Sequence, residues 1–202
     1  AAVTEPLACV LNSQQILQIT KGDVVLVMGS GPIGCLHVRV ARALGAAKVF
    51  LADINGGRVK LAADVVKPDA TIDMSTQDLA TELKKLTDGR GPNIIITAAP
   101  SGKAQEDAIS LVSAGGKVSF FGGLPKENPF IKCDSNIVHY KEVTLYGANG
   151  SSPAQNQQAL NMIASGEVKV SDLITHRVKL ENVQSAIDAV LSGQAIKVVI
   201  NP

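Results

Sequence analysis

The chain has 202 residues, enough to bury a sizeable core, and its formal charge of +1 with no run of like charge excludes an electrostatic partnership with nucleic acid or a membrane surface. No apolar stretch approaches the ~18 residues of a membrane span and nothing resembles a signal peptide, so a cytoplasmic location is expected. Hydrophobic residues make up 46% of the chain and aromatic residues 3%, with no Trp, a composition suited to a parallel α/β sheet covered on both faces.

In chain order, Leu7, Val10, Leu11 and Ile16 recur at helical spacing, which predicts a leading helix over residues 2–17 with Pro6 in its first turn. The apolar run after Asp23 predicts a strand. A helix follows, with Ile33, His37, Val40, Ala41 and Leu44 on one stripe and Gly45 at its end. His37 lies on that apolar stripe and is expected to be packed and hydrogen-bonded. Lys48–Asp53 reads as a second strand, and Asn55-Gly56-Gly57 opens a helix that Pro68 stops. A short third strand is expected at 70–72. Ser75 and Asp78 suggest a capping box for a helix carrying Leu79, Leu83 and Leu86.

Asn93–Thr97 is a buried fourth strand, 103–113 a helix, and 117–121 a fifth strand ending on Gly122-Gly123. Residues 124–140 show no period. A sixth strand spans 142–147. Ser152, Pro153 and Gln155 predict a capped helix over 153–165 ended by Gly166, followed by a helix over 181–191 and a strand over 196–200. Strand and helix alternate five times before residue 124, which yields a doubly wound parallel sheet of six strands with its ligand over the strands' carboxyl ends.

The chemistry concentrates at Asp23–Gly34, DVVLVMGSGPIG, where Gly29, Gly31 and Gly34 have the spacing G-x-G-x-x-G between a strand and a helix. Gly29 allows a sharp turn, Gly31 a close approach of backbone to a pyrophosphate, and Gly34 close packing of helix on strand. Pro32 fits the first helical turn, and the helix start offers N–H groups to an anion. The motif alone is weak, but Asp53 ends the second strand nineteen positions beyond Gly34, near the ~20 expected of a ribose-binding carboxylate.

Asp53 also predicts NAD over NADP. Hydrogen bonds from ribose hydroxyls to a carboxylate contribute about 1.5 to 3 kcal/mol, whereas a 2′-phosphate at ~4 Å meets repulsion of ~4 kcal/mol per charge near a protein surface. A helix-capping role for Asp53 is the plainer alternative. Tyr-x-x-x-Lys is absent, since Thr144 and Gly150 stand four residues after Tyr140 and Tyr146. No Gly-x-Ser-x-Gly elbow, Walker A lysine or H-E-x-x-H helix occurs. Cys9, Cys35 and Cys133 are scattered and read as reduced thiols.

The chain resembles the cofactor-binding part of the zinc-dependent medium-chain dehydrogenases, most closely the sorbitol or polyol group and related alcohol and threonine dehydrogenases. The likeness runs almost end to end. It is carried by EPLACVLN (5–12), GSGPIG (29–34), ARALGAAKV (41–49), residues 53–58, FFGGLP (120–125), HYKE (139–142), ITHRVKL and the final IKVVINP. The resemblance implies hydride transfer between a secondary alcohol or polyol and NAD, with a zinc ion polarising the substrate hydroxyl. It implies that Gly29–Gly34, including Ile33, contact pyrophosphate and ribose, that Asp53 binds the adenosine ribose, and that Arg58 lies on the adenosine side. Phe121, Gly122, Gly123, Leu145, Tyr146 and Gly147 fall along the nicotinamide half. Glu5 corresponds to a glutamate of the catalytic zinc shell; without the resemblance, a first-turn helix glutamate favoured by the helix dipole explains it equally.

Departures accompany the matches. The family's cysteine and histidine ligands and four-cysteine lobe have no counterpart here, and Tyr146-Gly147 replaces the Arg-Tyr pair of animal polyol dehydrogenases. Thr97-Ala98-Ala99-Pro100 stands where many relatives have an acid and a Thr-Gly pair. The sequence starts at Ala1, inside an apparent helix, and so reads as a piece of a longer protein. The expected organisation is a Rossmann domain over 16–150, flanked by segments 1–15 and 151–202 of a catalytic domain, in a homodimer or tetramer. The rival is a complete dinucleotide-binding module acting as a redox sensor or regulatory subunit.

Overall fold

A computed structural model describes residues 2–201. Helix α1 (Thr4–Leu17) leads into β1 (Val24–Met28), α2 (Pro32–Ala43), β2 (Lys48–Asp53), α3 (Gly56–Val66) and β3 (Ala70–Asp73). The second half-unit runs α4 (Leu79–Leu86), β4 (Ile94–Thr97), α5 (Gly102–Leu111), β5 (Lys117–Phe120), α6 (Ser135–Tyr140) and β6 (Thr144–Gly147). A return segment follows, with α7 (Pro153–Ser165), β7 (Ile174–Lys179), α8 (Val183–Leu191) and β8 (Lys197–Asn201).

The first six strands form one parallel sheet, as expected, and their order is β3-β2-β1-β4-β5-β6. The order reverses between β1 and β4, so a crevice opens above their carboxyl ends. Val25 and Val27 of β1 face one layer, and Leu26 and Met28 face the other. That alternation explains why the strand reads as an unbroken apolar run: both faces are buried. On the first face, α1, α2 and α7 contribute Leu7, Leu11, Leu36, Val40 and Met162. On the second, α4 and α5 contribute Leu79, Leu83 and Ala108. The leading helix and part of the return segment thus share the core of the sheet, and β7 and β8 form a separate two-stranded parallel sheet joined by α8.

Several boundaries differ from the sequence reading. Asp78 alone caps α4, its Oδ1 accepting from Thr81 N at 2.8 Å, while Ser75 is bonded to Asp73 instead. Phe121 falls just beyond β5. Glu142 adopts a φ of 53°, which turns the chain before β6 and shortens that strand. Helix α6 lies in the region without a hydrophobic period, because none of its six residues is buried. By contrast, the capping box at Ser152 and Gln155 is present in full, and Gly166 ends α7 with φ 80°.

Candidate functional site: the crevice above β1 and β4

Gly29 leaves β1 with φ +118°, and its N–H donates to Ala52 O of β2 at 2.7 Å. A Cβ there would lie 3.1 Å from the Ala98 backbone, so the turn needs glycine for both conformation and space. Gly34 packs α2 onto the turn so closely that a Cβ would sit 1.8 Å from Gly29 O. Gly31 behaves differently. It is the N-cap residue of α2, no side chain caps the helix, and nothing lies within 4 Å of where its Cβ would be. Pro32 takes the first helical position. The helix start is therefore left with its dipole and N–H groups facing open space, as an anion site requires.

Asp53 ends β2 beside this turn. Its Oδ2 accepts from Ser30 N at 2.6 Å and Ser30 Oγ at 2.8 Å, and its Oδ1 accepts from Asn55 N at 3.0 Å. The capping of α3 is done by Asn55, whose Oδ1 accepts from Arg58 N at 3.0 Å. Asp53 is thus fixed against the glycine turn with acceptor capacity to spare, since a carboxylate has about four lone-pair sites. Ser30, only 2% exposed, was not singled out from sequence. Its one signal is a small hydroxyl residue between the first two glycines.

Next to Asp53, an apolar cleft of about 270 Å³ opens between Met28, Ala52, Ile54, Met74 and Ala104. The paired side chains of Lys103 and Asp107 stand at this cleft. A flat, mostly apolar ring bearing a few polar atoms suits such a cleft.

On the far side of the switch point, Gly122 lies against the chain after β4. Its N–H donates to Thr97 O at 2.8 Å, and a Cβ would stand 2.5 Å from Ala99 O. Gln105 Nε2 donates to Gly122 O at 3.0 Å. Gly123 is exposed. Phe121 packs its ring edge-to-face with His37, centroids 4.6 Å apart. His37 is fully buried, with Nδ1 3.1 Å from Gln14 Nε2, and burial pushes its pKa down to about 3. It is the packed, neutral histidine expected from its place on the apolar stripe. In β6, Leu145 is exposed, Tyr146 packs on the core, and Gly147 stands at the open strand end.

Arg58 lies at the edge of the crevice, and its Nη2 donates to Val190 O of α8 at 3.0 Å. Glu5 is exposed in the first turn of α1, where its Oε1 accepts from the Cys9 thiol at 3.0 Å. Burial first, and then the bond to Glu5, raise the Cys9 pKa. Among the described residues, no group of three or more His, Cys, Asp or Glu could hold a metal. Cys35 is buried, and burial lifts its thiol to about 12. Lys197, also not singled out from sequence, borders a small cavity with Pro32, Ile33 and Leu36 at the start of α2.

These features define a Rossmann-like α/β protein with an anion-ready helix start, a fixed acidic residue and an apolar cleft at the switch point. A family model for zinc-binding dehydrogenases matches residues 32–165. The chain belongs to that family.

Along its full length the chain is 32% identical to a sorbitol dehydrogenase of Halalkalibacterium halodurans, and 30% identical to an L-threonine 3-dehydrogenase of Chelativorans sp.. It covers 58% and 57% of those proteins, little more than half their length. A provisionally described zinc-binding dehydrogenase of Sinorhizobium meliloti, solved bound to NADP, superposes with TM-score 0.89 at 27% identity. The comparison covers all of this chain and 58% of that one. A protein of E. coli CFT073 described as a short chain alcohol dehydrogenase, in complex with NADH, shares the fold with TM-score 0.89 at 24% identity. There the coverage is 100% and 59%.

Proposed function

We propose that this chain binds NAD across the crevice and serves as the cofactor-binding part of an NAD- and zinc-dependent alcohol or polyol dehydrogenase. The observation that carries the reading is Asp53, held 2.6 Å from Ser30 N beside the uncapped start of α2 and the apolar cleft. The open space at Gly31 takes the pyrophosphate, and the N–H groups of the α2 start, with Ile33, hold it there. The cleft between Met28, Ile54 and Met74 takes the adenine, Asp53 accepts from the adenosine ribose, and Arg58 flanks that side.

Phe121, Gly122 and Gly123, with Leu145, Tyr146 and Gly147 at the neighbouring strand end, line the path of the nicotinamide half. When bound, NAD supplies the hydride acceptor, and these residues orient its ring and exclude water from one face. The described residues do not form a zinc site. Zinc is assigned to the remainder of the parent, with Glu5 the carboxylate of this chain turned toward it. On this reading, residues 16–150 are the dinucleotide domain, and 1–15 and 151–202 belong with the catalytic domain. The parent is a cytoplasmic dimer or tetramer acting on a secondary alcohol or polyol.

NADH and NADPH titrations followed by nicotinamide fluorescence test the cofactor reading. NADH should bind more tightly, and Asp53→Ser should weaken it by roughly tenfold or more and narrow the preference, given about 1.5 to 3 kcal/mol for a charged hydrogen-bond acceptor. A preference unchanged in Asp53→Ser removes Asp53 from the ribose site. For Glu5, the full-length parent is the test: Glu5→Ala should reduce turnover and retained zinc far more than NADH affinity. Normal turnover with full zinc returns Glu5 to a helix-start role.

A further inference from the structure

The Arg58 side chain reaches from α3, beside the glycine turn, to the end of α8 in the return segment. It emerges from the first turn of α3, where Asn55 fixes its N–H, and it reaches across to donate to Val190 O at 3.0 Å. Gly193 makes room for it: a Cβ at that position would lie 2.9 Å from Arg58 Nε and 3.2 Å from its Cγ. Arg58 also borders a gap of about 100 Å³ lined by Ser30, Gly31 and Pro32 and by Val190, Ala195 and Ile196. Arg58 therefore stands between the α2 start and the end of α8.

A guanidinium offers five N–H donors in a planar fork, and Val190 O takes one of them. Its other donors make no hydrogen bond to the described residues, and the side chain borders the gap beside Ser30 and Gly31, where the dinucleotide is placed. A charge-assisted bond to a phosphate oxygen is shorter and stronger than a bond to a neutral carbonyl, so an occupied site immobilises this side chain. Helix α8 has little else to hold it on that side, since Ala186 is its only buried residue. An immobilised Arg58 then keeps the Val190 end of α8 against the turn.

We propose that Arg58 is a positioning residue that couples dinucleotide binding to the placement of α8 and β8. The coupling rests on the cofactor reading above. By linkage it is reciprocal: a return segment held in place strengthens dinucleotide binding by the same factor.

Amide hydrogen exchange over residues 190–195, with and without saturating NADH, tests the coupling in the wild-type chain and in Arg58→Gln and Arg58→Lys. NADH should slow exchange there by roughly fivefold or more in the wild type. Both variants should still bind NADH through the glycine turn and Asp53, with reduced affinity, and should lose the slowing. Lysine keeps the charge but has no planar fork with which to serve two partners. A side chain that merely packed would change exchange equally with and without NADH. Equal slowing in the variants, or none in NADH-bound wild type, overturns the coupling. Failure of wild type to bind NADH at all overturns the cofactor reading itself, and the coupling with it.

Discussion

His37 shows how a single buried side chain sets the pH response of the fold. Burial holds its folded pKa at about 3, below the usual value of 6.5. Between those values the unfolded chain takes up a proton that the folded chain refuses. The stability that follows from neutral burial is complete above about pH 6.5 and is lost as the pH falls toward 3, at about 1.4 kcal/mol per unit. Urea unfolding should therefore show about 2 kcal/mol less stability at pH 5 than at pH 7 from this residue, and His37→Gln should remove that part of the slope. An identical slope in the variant would assign the pH response to other groups. In the sequence, His37 was legible as a core residue because it falls on the apolar stripe of α2. Gly29, Gly34 and Asp53 were legible because backbone conformation and spacing restrict them. Ser30 and the cleft residues Ile54 and Met74 were not, because their placement beside Asp53 depends on which elements meet in space.

The elements were most readable where local chemistry alone decides them. Helix α7 carries its own start and stop signals: Ser152 Oγ accepts from Gln155 N at 3.2 Å, Gln155 Oε1 accepts from Ser152 N at 2.8 Å, and Gly166 closes the helix in the left-handed region. Ser152→Ala should cost about 1 kcal/mol in chemical denaturation, and a loss under a few tenths would mean that docking on α1 fixes the helix without its cap. Helix α6 was invisible for the opposite reason, since a six-residue helix with no buried side chain leaves no period to detect. Strand β7 is similarly weak in sequence, because its exposed and half-buried residues follow no alternation and its pairing with β8 crosses the whole of α8. At α4 the misreading had a local cause: Ser75 and Asp78 are both plausible caps by composition, and the Asp73 carboxylate engages Ser75 Oγ at 2.6 Å.

For the whole molecule, the two-sided burial of the main sheet contrasts with the one-sided burial of the return segment. Ile187, Val190 and Leu191 of α8 and Ile200 of β8 are between 42% and 75% exposed, and together they flank a shallow apolar depression. Water-exposed apolar surface of this kind is normally covered by another surface. The double substitution Ile187→Glu with Leu191→Glu should therefore reduce self-association in sedimentation velocity or binding of an apolar dye; no change in either would mean that this face is tolerated bare. The strand order carries a different consequence, for synthesis. Strand β1 pairs with β2 on one side and β4 on the other, and some 66 residues separate Met28 from Ile94. At ribosomal rates of about 5–20 residues per second, the edge of β1 that ends at the centre of the sheet waits roughly 3–13 s for its second neighbour. During that interval the nascent chain presents an apolar strand with one unpaired edge, so a strand buried on both faces in the finished protein needs shielding while it is being made.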